Sequence, residues 1–159
     1  MDLLKIRVDN FRCFKGLHEL DITDGPLWVV RGENGSGKST LICDAILFSL
    51  FNTIPSLEGT QSLKKNELIN VRSKSMSVQI WFMHNGNKYS LKRSYFLKGK
   101  TEILHHEFIA WENTKELINT TRQEDARLFV SKRFWEIEDF RNTTIILQKE
   151  ITNSVEQRE

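Results

Sequence analysis

The sequence predicts an α/β fold in which a glycine-rich loop joins a short apolar strand to a helix, and an antiparallel β meander with packed helices follows. Three observations predict it. Gly32-Glu33-Asn34-Gly35-Ser36-Gly37-Lys38-Ser39 fits G-x-x-x-x-G-K-[ST] at every fixed position. The motif needs a strand before it and a helix after it. Leu27-Trp28-Val29-Val30, following Pro26, reads as a buried strand, and Thr40 to Phe51 is apolar and long enough for a helix. Third, His84-Asn85-Gly86-Asn87 separates two β-rich segments, and an Asn-Gly pair in that setting signals a hairpin.

Each residue type in the loop has a physical task. Gly32, Gly35 and Gly37 permit a tight turn whose backbone N–H groups converge on phosphate oxygens, and the helix start behind them adds partial positive charge. Lys38 supplies a mobile cation for the β and γ phosphates. Ser39 places a hydroxyl where a bridging magnesium ion can use it, and Asn34 can donate its amide toward the γ-phosphate.

Taken in order, Leu3 to Val8 alternates as a first strand and Leu17 to Ile22 as a second, with Asp9-Asn10-Phe11-Arg12-Cys13-Phe14 between them. Thr23 to Pro26 is a turn. Asn52 to Lys74 lacks a clean period and reads as a long connection with a short helical piece at Lys64 to Ile69. Ser77 to Met83, Lys88 to Leu97 and Ile103 to Trp111 form the meander, with Val78, Ile80 and Phe82 on one face. Glu112 to Asn119 is ambiguous. Thr121 opens a helix in which Ala126, Phe129, Val130 and Phe134 recur at helical spacing as far as Trp135. Ile137 to Arg141 then links to a buried strand, Thr143 to Leu147, ending in Gln148.

The 159 residues are 39% hydrophobic and 28% charged, the composition of a soluble globular domain with one core. The longest apolar run, interrupted by Asp44, is too short to span a bilayer, and no leader opens the chain, so a cytoplasmic or nucleoid location is expected. Cys13 and Cys43 stand apart from any ligand spacing and read as small buried hydrophobes. His84, His105 and His106 read as strand-surface or partly buried, without a metal constellation. The net charge of +2 is unevenly spread. Residues 60–100 hold nine Lys/Arg and one Asp/Glu, whereas residues 1–59 sum to −2 and residues 101–159 to −4. A basic block of this kind fits a polyanionic partner. Its candidate contacts are Lys64, Lys65, Lys88, Lys92, Arg93, Lys98 and Lys100.

Four features in sequence order carry a resemblance. Asp9 to Phe14 resembles the N-F-R start of the SMC/SbcC superfamily, and Gly32 to Thr40 its Walker A. The basic hairpin occupies the place of its N-lobe sheet, and Phe140 to Ile151 resembles its strand ending in a Q-loop. The chain is thus similar to the N-terminal lobe of an ABC-type ATPase head, with the bacterial SbcC and Rad-fifty double-strand-break repair ATPases as the nearest branch. The resemblance implies P-loop residues 1–51, a basic meander at 77–111, a helix and Q-loop strand at 121–151, and the start of a coiled coil or a truncated tail at 152–159. It implies ATP and Mg2+ as cofactors, held by Arg12, Gly32, Asn34, Gly35, Ser36, Gly37, Lys38, Ser39 and Thr40. Lys38 and Gln148 take the catalytic positions, and Ser39 and Gln148 the metal. Arg12 has two open readings, a nucleotide-side coupler or a solvated loop charge. The implied partners are the C-terminal half of the same head, a second head, a nuclease subunit and double-stranded DNA, with no membrane and a cytoplasmic, nucleoid-associated or nuclear location.

No apolar run ending in Asp-Glu and no L-S-G-G-x stretch occurs in the chain. In the resembled family both follow a long coiled coil, so the expectation is half of an ATPase head, inactive alone. An SMC-like chromosome-organising or anti-phage defence ATPase is an alternative that these motifs do not separate from repair. A transporter ATPase subunit fits less well, because Lys38 and Gln148 stand 110 positions apart. A noncatalytic module that keeps the loop only for structure is the remaining alternative.

Overall fold

The computed structural model describes residues 1–22, 28–55, 64–98 and 103–144. Its frame is a six-stranded antiparallel sheet. Strands β1 (Asp2–Asp9), β2 (Leu17–Asp21), β3 (Ser75–His84), β4 (Asn87–Lys98), β5 (Ile103–Glu112) and β6 (Lys115–Thr120) lie in the spatial order β2-β1-β3-β4-β5-β6. From β3 onward the chain is a meander whose neighbours in space are neighbours in sequence. The first hairpin turns at Asn85 and Gly86, both with positive φ, as the Asn-Gly signal requires. The segment whose sequence is ambiguous becomes β6, led in by a left-handed Asn113 whose N–H donates to Lys88 O at 2.7 Å.

Alternation decides what each strand buries. Ile6 and Val8 of β1, Val78, Ile80 and Phe82 of β3, and Leu91 and Tyr95 of β4 are removed from solvent on one face. Helix α1 (Ala45–Phe51) packs on β1, β3 and β4 of that face, and α2 (Gln123–Arg133) on β5, β6 and α1. Phe48 of α1 meets Phe11 and Tyr95 edge-on or tilted, with ring centroids 5.6 and 5.4 Å apart. A short 3₁₀ turn, Lys65–Leu68, stands where the sequence indicates a helical piece.

On the same buried face of β4 lies Arg93, only 1% exposed. Its Nε and Nη2 donate to Ser49 O (3.3 Å) and Leu50 O (3.2 Å) at the end of α1, and its Nη1 reaches His106 Nε2 at 2.8 Å. A guanidinium at a helix C-terminus satisfies carbonyls that have no intrahelical donor. Because arginine only donates, His106 Nε2 must accept, so Nδ1 carries the proton and faces Thr121 O at 3.3 Å. Burial, reinforced by the positive Arg93, brings His106 down to about 4 from 6.5. An unfolded chain takes up that proton near pH 6.5 while the folded one does not, so stability falls as pH drops between the two values. Acidification from about pH 7 to pH 5.5 is expected to remove about 1 kcal/mol that a His106→Gln variant does not lose, measured as the pH dependence of the urea midpoint.

Four expectations are corrected. Trp28, Val29 and Val30 are not paired as a strand and are 43%, 69% and 40% exposed, while Leu27 lies outside the described residues. An apolar run becomes a strand only where neighbours accept its backbone hydrogen bonds, and the antiparallel sheet ends at β2 and β6 without reaching this segment. Thr143 and Thr144 do not begin a strand but end helix α3 (Ile137–Thr144). Thr143 Oγ1 donates to Asp139 O one turn back at 2.7 Å, and Phe140 anchors the helix against Trp135 and Phe51. Ile145 to Ile151, Gln148 among them, and the tail 152–159 lie outside the described residues. Helix α2 begins at Gln123, with Arg122 as its N-cap, rather than at Thr121; Thr120 Oγ1, at the end of β6, accepts from Arg122 N at 3.1 Å. Finally, Cys13 is exposed and Cys43 half-buried, so neither is a fully buried core residue.

Candidate nucleotide-binding site

The glycine-rich loop opens directly into helix. Residues Thr40–Asp44 are π-wound and run without a break into α1, a local irregularity often found at functional sites. The first-turn amides of a helix have no intrahelical acceptor and face whatever lies ahead of it. Gly35 and Gly37 have φ of 80° and 89°, the left-handed region that admits glycine without strain. Gly37 is also a point of close approach. A Cβ there would stand 2.9 Å from both Cys13 Sγ and the Phe14 ring. Gly37→Ala is therefore expected to displace one loop against the other, costing about 2 kcal/mol in thermal or urea unfolding and weakening nucleotide binding with it.

Lys38 folds back over its own loop, its Nζ donating to Gly32 O and Glu33 O at 2.7 Å each. Ser36 N donates to Glu33 O at 3.2 Å, which closes the turn. The cleft ahead of the helix, about 760 Å³, is lined by Arg12, Cys13, Asn34 to Thr40, Glu67, Ile69 and Val71. Of the residues predicted to hold nucleotide, Arg12 and Asn34 to Thr40 line one cleft, and Gly32 stands beside it as an acceptor for Lys38. The donor set fits a polyphosphate: a lysine, an arginine, a serine hydroxyl at the helix start and the backbone amides of the glycine-rich loop ahead of it. Ser39 lines this cleft as the candidate magnesium ligand, while Gln148 is outside the described residues. Among the described residues, no His/Cys/Asp/Glu cluster forms a separate metal site.

The segment between β1 and β2 explains how Arg12 arrives there. Asn10 closes the loop on itself, its N–H donating to Gly16 O at 3.1 Å and its Oδ1 accepting from Gly16 N at 2.9 Å. Phe11 is fully buried against Phe48, and Arg12, with φ 53°, is pinned by its backbone between Leu68 O and the Asn70 amide. The Arg12 side chain pairs through Nη1 with Asp44 Oδ2 on the π-wound turn. Asp44, the partner of Arg12, is a residue that motif reasoning passes over. Its signal in the sequence is a lone carboxylate inside an apolar helix. Burial raises the Asp44 carboxyl above its ordinary value, opposed by the Arg12 charge and hydrogen bonds from Arg12 and Thr40.

The candidate polyanion contacts do not form one surface. Lys88, Lys92 and Lys98 occupy even positions of β4 and share the face opposite the helices, where Lys92 stands in register with Gln79 and Ile109. Arg7, one strand further on at Gln79, ion-pairs with Glu19 at 2.5 Å and covers Trp81, 5.2 Å from the ring centroid. Lys65 lies on the helix side, bonded to Gln123, and Lys64 is exposed beside it. Arg93 leaves the footprint altogether: its position shares the parity of Tyr89, Leu91 and Tyr95, which carries it into the core. Lys100 is outside the described residues. Tyr89 is buried, and Phe96 stacks on His105 with centroids 5.6 Å apart. No helix among the described residues is long and apolar enough to cross a membrane.

The chain is similar to several known proteins. The DNA double-strand break repair Rad50 ATPase of Thermoplasma acidophilum is 38% identical over 97 residues, covering 58% of this chain and 10% of the relative. That of Archaeoglobus fulgidus is 32% identical over 94 residues, covering 58% and 10%, and the SbcC component of the nuclease SbcCD from Deinococcus radiodurans is 31% identical over 94 residues, covering 59% and 10%. The matches thus span about a tenth of these relatives' lengths. The SMC head domain from Thermotoga maritima is a structural neighbour at TM-score 0.44 and 24% identity, covering 81% of this chain and 42% of that one. The family described as AAA domain, AAA_23, matches residues 5–158. With nearly its whole length matched, the chain belongs to the AAA domain family.

Proposed function

We propose that the chain is the ATP-binding N-terminal half of a Rad50/SbcC-like ATPase head acting in DNA double-strand-break repair. The observation that carries the reading is the convergence of Lys38, Arg12 and the helix-start amides on one cleft. Bound ATP supplies a phosphoryl group whose transfer depends on positioning and charge stabilisation. In this reading Lys38 exchanges the Gly32 and Glu33 carbonyls for phosphate oxygens, Ser39 and Gln148 hold Mg2+, and Arg12 leaves Asp44 to meet the nucleotide. The Walker B carboxylates come from the C-terminal half of the head and the signature loop from a second head, so the chain alone binds ATP and hydrolyses it poorly. The repair assignment draws on the names of the relatives, as does the nuclease partner. Calorimetric titration of the chain with ATP and Mg2+ is expected to give saturable one-to-one binding; a flat titration removes the reading.

Double-stranded DNA is the proposed cargo, met by Lys88, Lys92 and Lys98 on the open face of β4. Phosphate contacts make affinity steeply salt-dependent. Lys92→Glu is expected to lower the slope of log K against log salt by roughly one, with a uniform loss of affinity across sequences. An unaltered slope takes Lys92 out of the interface.

A further inference from the structure

A second cavity, of about 250 Å³, lies at the opposite end of α1 from the phosphate loop, between the end of that helix, α2 and the turn into α3. One wall is apolar, formed by Phe51, Val130 and Trp135, and the other carries Lys65, Arg93 and Gln123. The balance of charge on these walls is unequal. Of the lining cations, Arg127 is already matched, bonded through two nitrogens to Glu124 at 2.7 and 3.2 Å and attracted by the lining Glu136. Lys65 and Arg93 have no such match. Among the described residues the only acceptor for Lys65 Nζ is Gln123 Oε1 at 3.1 Å, an oxygen that Asn52 Nδ2 also uses at 3.2 Å. An ammonium has three N–H donors, so two are left over. Arg93, wholly buried, donates among the described residues to two carbonyls and a neutral imidazole and lies over the Phe108 ring, with no carboxylate partner. Burial together with the Arg93 charge lowers the pKa of Lys65.

A buried cation is stable when an anion faces it, and here two cations share one small cavity whose lining carboxylate among the described residues, Glu136, is ion-paired to neither of them. We propose that this cavity is a binding site for a small organic oxyanion, a carboxylate or phosphate on an apolar body no larger than one ring. Lys65 and Arg93 hold the charged end, and Trp135, Phe51 and Val130 cover the apolar end. The volume is below that of a site for a drug-sized ligand and suits a single ring or a short chain. The charged wall touches α1, since Arg93 bonds carbonyls at its end, so the ligand sits where it braces the helix that the phosphate loop opens.

The test follows the Trp135 indole N–H by nitrogen-15 correlation spectroscopy of the 159-residue chain, assigned with a Trp135→Phe variant, during separate titrations with phenyl phosphate and benzoate. The titrations are done in a Lys38→Ala background, so that the phosphate loop cannot be the source of the response. The expected result is a saturable shift of Trp135 with at least one probe, weakened roughly tenfold or more by Lys65→Gln and restored by Lys65→Arg. A response to phenyl phosphate alone assigns a phosphate ligand, and one to benzoate alone a carboxylate. The proposal is overturned if Trp135 is silent to both probes, or if Lys65→Gln binds as tightly as the unsubstituted site.

Discussion

Lys38→Ala is expected to weaken ATP binding by roughly a hundredfold or more while leaving the unfolding midpoint unchanged. The two halves of that expectation have separate physical grounds. The lysine is the mobile cation of the cleft, and removing it leaves polyphosphate charge without its nearest compensation. Yet its only partners among the described residues, the Gly32 and Glu33 carbonyls, belong to an exposed loop where water replaces the lost donor. Calorimetry with ATP and Mg2+ reads the first effect and urea unfolding the second. Undiminished affinity would place the nucleotide elsewhere.

Arg93→Ala is expected to be the most damaging substitution for stability, at about 3–5 kcal/mol, a large part of what a domain of this size possesses. Truncation deprives Ser49 O and Leu50 O of donors, strips His106 Nε2 of its partner and leaves a void beside Phe108, whose ring lies 4.6 Å from the guanidinium carbon. Lys92→Ala, one residue away on the open face, is expected to cost less than about 0.5 kcal/mol. Urea midpoints of the two variants read the contrast directly; equal losses contradict the burial of Arg93.

That contrast marks where sequence reading succeeded and where it stopped. The hairpin at Asn85-Gly86 and the inward face of Val78, Ile80 and Phe82 were legible because turn chemistry and alternation are local. The same alternation, carried along Tyr89, Leu91, Arg93 and Tyr95, also places Arg93 inside, but a positive charge is ordinarily a surface signal and overrides the parity. Trp28 to Val30 misled for the opposite reason. Their composition is that of a buried strand, whereas strand formation depends on partners that no local pattern encodes. The phosphate loop was legible in full as a motif, and the Arg12–Asp44 pair was not, since it joins two segments far apart in the chain. At Thr143, β-branched residues read as strand, and a helix anchored by Phe140 prevailed over propensity.

The topology also sets an order of assembly. Strands β3 to β6 zip together through short turns, each closing next to the last, and local closures of this kind are fast. β1 must instead travel back from the far side of the phosphate loop to dock on β3, and a long excursion carries a larger entropic barrier. The meander is thus expected to form first and the cleft to be completed only when the N-terminal strand arrives, so nucleotide binding is expected to be recovered last in stopped-flow refolding.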